Sequence, residues 1–269
     1  MFVIADHNPT RHIRFPFVNW TIIVACLLVF IFQVPWPDYA FTPATLHLVG
    51  GMKSPGGTPE VIGQMVSYIF LHATWLHLIG NMVTLWVFGD NIEDAMGHVL
   101  YPVFFVLCGM AGAGAEALMT AQPEVPVIGA SGAIAGVMGA YLLLHPRAHV
   151  LVLVALRLPV LVPAGAVVGV SVALDLVAAL AVDAGEANVA FWAHIGGFTA
   201  GALLITVMRW RDVPLFQPPQ PHAEPGFLGA GRWLPRIGAA QPGGSALWFW
   251  LKAAFFFLGI SILVETFLA

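Results

Sequence analysis

The stretch from Gly129 to Leu144 reads GASGAIAGVMGAYLLL and is apolar along nearly its whole length. Glycines recur in it at positions 132, 136 and 139, followed by Ala140. Small residues at this spacing let membrane helices approach each other closely. Up to Ala140 its one polar side chain is the Ser131 hydroxyl. The stretch therefore predicts a buried membrane helix that carries a serine in its first turn.

The composition of the whole chain agrees with a membrane protein. Of the 269 residues, 59% are hydrophobic and 9% are charged, against about 25% charged in a soluble domain. The predicted fold class is an all-α polytopic membrane protein, a six-helix bundle plus one C-terminal transmembrane helix. The net charge of -4 gives no sign of a nucleic-acid partner. Seven spans are predicted, at about 18–36, 68–89, 98–120, 130–145, 162–182, 189–208 and 247–268.

Basic residues predict the orientation and the division of the chain. With the N-terminus inside, nine of the ten lysines and arginines fall on the cytoplasmic side and only Lys53 falls outside. The expected parts are a cytoplasmic segment (1–17), a six-helix core (18–210), a Pro/Gly-rich cytoplasmic linker (211–246) and the last helix (247–269). Residues 37–67 are expected to form an outer loop and 148–161 an interfacial segment. The first apolar run lacks the features of a cleaved signal peptide and is expected to remain as a helix.

Three polar clusters lie at the predicted outer ends of spans two, four and six. They are the segment 72–81 with His77 and Asn81, the segment 129–132 with Ser131, and His194 with glycines three and seven residues after it. Because polar groups in a membrane are costly, each needs a structural or functional reason. The glycines share a helical face with His194, so this face is expected to pack closely against the Ser131 helix.

These residue types suit nucleophilic catalysis. A serine hydroxyl becomes a useful nucleophile when an adjacent base takes its proton, and His194 is the expected base for Ser131. His77 and Asn81 are four residues apart on one helical face. Together with the Ser131 backbone N–H, they could stabilise an oxyanion. His72 is five residues from His77 and is expected to face elsewhere, bracing the outer loop.

The remaining polar groups are expected to be structural. Asp175 and Glu116 lie in predicted spans five and three, and neither is expected to pair with Ser131 or His194, so a dyad is predicted rather than a triad. The acidic stretch 89–94 is interpreted as a turn that caps span three. Both cysteines, Cys26 and Cys108, lie in apolar runs and are expected to be neither disulfide-bonded nor metal-binding.

Other classes of protein explain single features. A lone Gly-x-Ser-Gly segment or a lone membrane histidine is more often a packing contact. A transporter should show paired broken helices or a continuous polar path, and the sequence shows neither. The chain has no His-Glu-x-x-His motif for a metalloprotease. Only one aspartate lies in the middle of a span, whereas an aspartyl protease needs two.

The combined motifs resemble the rhomboid intramembrane serine proteases, of the bacterial type with a six-plus-one layout. The resemblance covers about 60–208 and rests on His72, His77, Asn81, Gly129-Ala-Ser131-Gly132 and Ala193-His194-x-x-Gly197. It implies that Ser131 and His194 are catalytic, and that His77, Asn81, Gly129 and Ser131 bind the oxyanion or substrate, with His72 in support. The fifth span would be a lateral gate. Two positions depart from the family pattern: Gly63-Gln64 stands where many relatives have Trp-Arg, and Ala135 where some have an aromatic residue.

The resemblance also implies partners and a location. The substrates would be single-span membrane proteins cut near the outer end of their transmembrane segment, with no metal or cofactor. An inactive relative acting as a membrane chaperone or adaptor is the alternative, and it would be expected to lack the serine or the histidine. The expected location is a bacterial inner membrane with the active site toward the outer face, an organelle membrane being the alternative. The substrate and the oligomeric state do not follow from the sequence.

Overall fold

The computed structural model describes residues 2–6, 8, 10–49, 57–154, 158–181 and 189–218, and most of this part is helical. The predicted last span, 247–268, and most of the predicted linker lie outside the described residues. The helices are α1 (Phe17–Ile31), α2 (Pro43–Val49), α3 (Gly57–Ser67), α4 (Trp75–Met119), α5 (Ser131–Leu144), α6 (Ala164–Ala181) and α7 (Phe191–Met208). Short 3-10 turns cover Trp36–Asp38 and Tyr68–Phe70. Residues 37–67, expected as an outer loop, thus contain two short α-helices.

Helix α4 is two antiparallel segments joined at Gly97. The φ of Gly97 is 80°, a left-handed value that breaks the helix. The Glu116 carboxylate accepts a hydrogen bond from Ala193 N, at the start of α7. The Ala95 carbonyl instead accepts one from Trp210 N, beyond the end of α7. These two contacts lie at opposite ends of α7, which is about 27 Å long. The chain therefore reverses its direction between Ala95 and Glu116. The two segments correspond to predicted spans two and three, but the turn expected at 89–94 is helical.

Helices α5 and α7 touch backbone to backbone. A Cβ on Gly197 would overlap the carbonyl oxygen of Gly132, and a Cβ on Gly201 would overlap that of Gly136. Gly139 lies equally close to the α7 backbone, at the Phe198 carbonyl. Only glycine permits this approach, so the predicted close packing of the small-residue faces of these two helices is confirmed.

A three-stranded antiparallel sheet corrects the all-α prediction. It consists of β1 (Phe2–Asp6), β2 (His149–Val154) and β3 (Leu158–Pro163), with β2 in the middle. The segment expected at the interface, 148–161, is rich in valine, and β-branched residues favour strands. Arg157 and Pro159 favour an interfacial segment but do not indicate a strand. The N-terminal strand pairs with a segment far along the chain, with Phe2 opposite Leu153 and Asp6 opposite Val150.

The acidic stretch after predicted span two holds the N-terminal part of the chain. The Asp94 carboxylate accepts hydrogen bonds from the backbone N–H groups of Arg11, His12 and Ile13. The fully buried Glu93 carboxylate accepts from the first N–H groups of α1, where the helix dipole favours a negative charge. Glu93 therefore caps α1, and Asp94 fixes the segment before it. The predicted role of this stretch was different, a turn that caps span three.

In the described part of the chain, two helices are long and apolar enough to cross a membrane: α4 (Trp75–Met119), which Gly97 divides into the two segments above, and α7 (Phe191–Met208). Three shorter apolar helices accompany them: Phe17–Ile31, Ser131–Leu144 and Ala164–Leu180. Large apolar side chains point outward from several of these helices, among them Val99, Leu118 and Val207, each more than 70% exposed. An outer surface of this kind suits contact with lipid.

Candidate active site

Ser131 and His194 form a hydrogen-bonded pair between α5 and α7. The Ser131 Oγ lies 2.8 Å from the His194 Nε2. Ser131 is the first residue of α5 and His194 lies in the first turn of α7, so the close approach of these two helices brings the pair together. The histidine side chain is 18% exposed. This arrangement allows the imidazole to take the hydroxyl proton while water access stays restricted.

Asp175 on α6 contacts the other ring nitrogen of His194. Its Oδ2 lies 3.2 Å from the His194 Nδ1. The expectation that Asp175 would not pair with the serine or the histidine was therefore wrong. Hydropathy located α6 but not its rotation about its own axis, and this rotation determines which side chains face α7. The described residues thus contain a Ser–His–Asp chain of contacts, not only a dyad.

Glu116 supports the start of α7. It is 7% exposed, and its carboxylate accepts the Ala193 N–H at 3.0 Å. The first N–H groups of a helix need such partners, and this one immediately precedes His194. The structural hydrogen bonding expected for Glu116 is confirmed.

The Phe191 ring meets the His194 ring edge-on, with 6.4 Å between their centroids. An aromatic contact therefore reaches His194 from α7, although position 135 is alanine.

His77, Asn81 and Gly129 lie together beside the serine. An ideal Cβ on Gly129 would be 2.6 Å from the His77 Nε2 and 3.8 Å from the Asn81 Nδ2. The φ of Gly129 is 125°, and its N–H donates to the Tyr68 carbonyl. Glycine is required here both for the backbone conformation and for the space next to His77. The predicted oxyanion groups are thus collected in one place, two residues before Ser131.

His72 bonds directly to Asn81, which corrects its expected position. Its Nε2 lies 3.0 Å from the Asn81 Nδ2, and its Nδ1 lies 3.4 Å from the Phe70 carbonyl oxygen. Helix α4 begins only at Trp75, with Thr74 as its N-cap. His72 therefore precedes the helix, and the spacing argument that turned it away from His77 does not apply. It holds the side chain of Asn81.

A cavity of about 350 Å³ opens beneath the Ser–His pair. Helices α4, α5, α6 and α7 line it, and Val3 of β1 contributes to its wall. Apart from Ser131, His194, Asn81 and Asp175, it is lined mostly by apolar or small side chains. Within the described residues, no three His, Cys, Asp or Glu side chains are grouped as a metal site would need.

Sequence reasoning missed two features of this site, the Asp175 contact and the bond between His72 and Asn81. The contact of Asp175 with the site could have been suspected from the sequence, because an ionisable residue inside a membrane span is a candidate functional residue. The position of His72 could have been inferred from the point at which α4 begins. Thr74 followed by the apolar residues of α4 is a recognisable N-cap.

A serine–histidine pair at the N-terminal ends of two apolar helices is the arrangement of an intramembrane hydrolase site. Residues 59–211 match the Rhomboid domain family. The chain belongs to the rhomboid family, whose members are integral membrane proteins and include serine proteases.

Individual relatives come from several kingdoms. The chain is 35% identical to RHOMBOID-like protein 5 of Arabidopsis thaliana over 29% of its length and 26% of the relative. It is 30% identical to Rhomboid-like protease 3 of Toxoplasma gondii over 46% of its length and 49% of the relative. With Rhomboid-related protein 2 of Mus musculus it shares 28% identity, over 74% of its length and 66% of the relative.

The chain thus spans about a quarter to a half of the first two relatives. Similarity to these proteins does not decide the membrane in which the chain lies, so the expected bacterial type and bacterial inner membrane stay predictions.

Proposed function

We propose that this protein is an intramembrane serine endopeptidase that uses Ser131 as nucleophile and His194 as base. The observation that carries the proposal is the 2.8 Å contact between the Ser131 Oγ and the His194 Nε2. This distance lies within the reach that a general base needs. Membership of a family that includes serine proteases supports the same reaction class.

The proposed reaction begins at this contact between Ser131 and His194. His194 Nε2 takes the proton of Ser131 as Oγ attacks the carbonyl carbon of the scissile peptide bond, and the carbonyl oxygen becomes an oxyanion. The protonated His194 then donates this proton to the leaving nitrogen, and the C–N bond breaks. An acyl group remains on Ser131. Water, deprotonated by the same histidine, releases it.

The oxyanion would be stabilised by side chains of α4 and by the backbone of α5. Asn81 directs one N–H of its amide toward His72, and a second N–H remains on the same nitrogen. His77 lies beside Gly129, next to the serine turn. The Ser131 N–H is at the positive end of the α5 dipole. Donors of this kind typically change kcat by about 10²–10³-fold each.

The proposed substrates are single-span membrane proteins, cut near the outer end of their transmembrane segment. The mostly apolar lining of the cavity next to Ser131 supports an apolar substrate. The proposed orientation has the N-terminus in the cytoplasm, because nine of the ten basic residues then lie inside. Both native cysteines are buried, so single cysteines added to loops can test the orientation by labelling with an impermeant maleimide.

The proposal is tested by reconstituting the protein in liposomes with labelled single-span substrates. Wild type should cut near the outer face, and Ser131→Ala and His194→Ala should each lose cleavage. A serine-reactive fluorophosphonate should label wild type but not Ser131→Ala. Equal cleavage by wild type and Ser131→Ala would refute the assignment of the nucleophile. A wild type that neither cleaves nor labels would favour the inactive chaperone or adaptor.

A further inference from the structure

The imidazole of His194 is held at both nitrogens by different helices. Its Nε2 faces Ser131 on α5 at 2.8 Å, and its Nδ1 faces Asp175 on α6 at 3.2 Å. To accept the serine proton at Nε2, a neutral imidazole must carry its hydrogen on Nδ1. A carboxylate at that nitrogen accepts this hydrogen and so favours the productive tautomer. It also stabilises the imidazolium that forms during the reaction.

Asp175 reaches this position from the inward face of α6. The residues of α6 at 168, 171, 172 and 175 follow helical spacing. Val168 is fully buried, while Ser171 and Val172 are half-buried and line the cavity with Asp175. The Asp175 side chain is 29% exposed, so part of its charge remains accessible to water. A partly exposed carboxylate at 3.2 Å can orient the ring but is a weaker partner than a fully buried one.

The C-terminal half of α6, which is the outer half in the proposed orientation, is packed more loosely than the beginning of the helix. Near the start, an ideal Cβ on Gly165 would be 2.8 Å from the Pro146 carbonyl oxygen. Four residues later, no described atom lies within 4 Å of an ideal Cβ on Gly169. Ala164, Val167 and Val168 are buried, whereas no described side chain of α6 beyond Val168 is buried. Since Asp175 lies in this loosely packed half, its contact with His194 depends on how α6 is seated against α7.

We propose that Asp175 is a positioning residue for His194, so that full activity requires the outer half of α6 to be seated against α7. The inference rests on the proposed function and adds to the Ser131–His194 pair a third side chain supplied by a separate helix. Asp175 does not touch the reacting atoms. It acts through the orientation and tautomer of the imidazole.

The test compares Asp175→Asn, Asp175→Ala and Asp175→Glu with wild type in liposomes. Asparagine keeps the size of the side chain but removes the charge, so kcat should fall about 10–100-fold, less than for a fully buried triad aspartate, with KM within about twofold. Alanine should lose at least as much as asparagine. Glutamate restores the carboxylate and should recover at least about one third of wild-type kcat.

Two further measurements separate positioning from other effects. The second-order rate of fluorophosphonate labelling of Ser131 should fall in parallel with kcat, because the small probe does not need the substrate site. In His194→Ala the residual rate of this labelling should not fall further when Asp175→Asn is added, since the ring on which Asp175 acts is gone. Leu174→Ala, next to Asp175 but on the exposed face of α6, is the matched control and should behave as wild type.

The possible failures are distinguishable. If wild type neither cleaves nor labels, the proposed function fails and this inference falls with it. If wild type is active and Asp175→Asn retains its kcat and labelling rate, only the inference is overturned. A change confined to KM, or a glutamate variant as impaired as alanine while its unfolding temperature matches wild type, would also overturn it.

Discussion

A methyl group at Gly197 tests whether the backbone contact between α5 and α7 sets the geometry of the site. In Gly197→Ala the new Cβ would overlap the carbonyl oxygen of Gly132. Both atoms belong to helix backbones, so neither can turn aside, and the helices must separate by about 1 Å to regain normal packing. Gly132 follows Ser131 directly, and Gly197 lies three residues after His194.

The separation translates into a loss of rate. Moving α7 by about 1 Å would lengthen the 2.8 Å contact between Ser131 and His194 beyond hydrogen-bonding distance. A misplacement of this size can cost about 10²-fold in kcat. Overpacking should also lower the free energy of unfolding by about 1–3 kcal/mol. The variant should therefore be somewhat less stable and should cleave about 100-fold more slowly.

The assay measures cleavage of a labelled single-span substrate in liposomes, normalised to the folded fraction from thermal unfolding and size-exclusion chromatography. Gly114→Ala is the matched control, because no described atom lies within 4 Å of an ideal Cβ at Gly114. It should cleave at the wild-type rate. A Gly197→Ala variant with kcat within about twofold of wild type would show that the helix contact does not set the Ser–His distance.

Three further changes test other parts of the structure. His72→Ala frees the side chain of Asn81 and should lower kcat about 10-fold, measured by the same cleavage assay; an unchanged kcat would show that the position of Asn81 does not depend on His72. Glu116→Ala leaves a buried N–H at the start of α7 without its partner and should lower the free energy of unfolding by about 1–2 kcal/mol, measured by denaturation in detergent. Partial burial lowers the pKa of His12, but the carboxylates of Asp212 and Asp94 bond to it and outweigh burial, so its pKa is raised. The resulting stabilisation should be fully present below the ordinary histidine pKa of about 6.5 and be lost as the pH rises through the raised pKa. His12→Gln should not show this loss when unfolding temperatures are compared across pH, and an identical pH dependence in both proteins would exclude His12 as its source.

Much of the candidate site was predictable because its signals are local. An apolar run with glycines at helical spacing identifies both a membrane helix and the face it buries. Ser131 and His194 each lie at the start of such a helix, on or next to that face. Two faces of small residues can approach closely, and the structure shows that they do. The pairing of serine and histidine was therefore predictable from the spacing of small residues and from the shared depth of the two residues in the membrane.

The parts that failed depend on contacts between distant segments. Asp175 precedes His194 by 19 residues and sits on another helix, so its role depends on the rotation of α6 about its axis. That rotation is set by packing against neighbouring helices, which hydropathy does not report. Strand β1 finds its partner in β2 far along the chain, and such a pairing leaves no local trace in either segment.

Residue size and polarity along each helix were enough to predict a mainly helical membrane protein and the pairing of Ser131 with His194, because they govern burial and close approach. The contacts of Asp175 with His194 and of His72 with Asn81, and the sheet that includes the N-terminal strand, became visible only in the folded structure. Those contacts depend on the rotation, register and starting point of each element, which are settled by the elements packed around it.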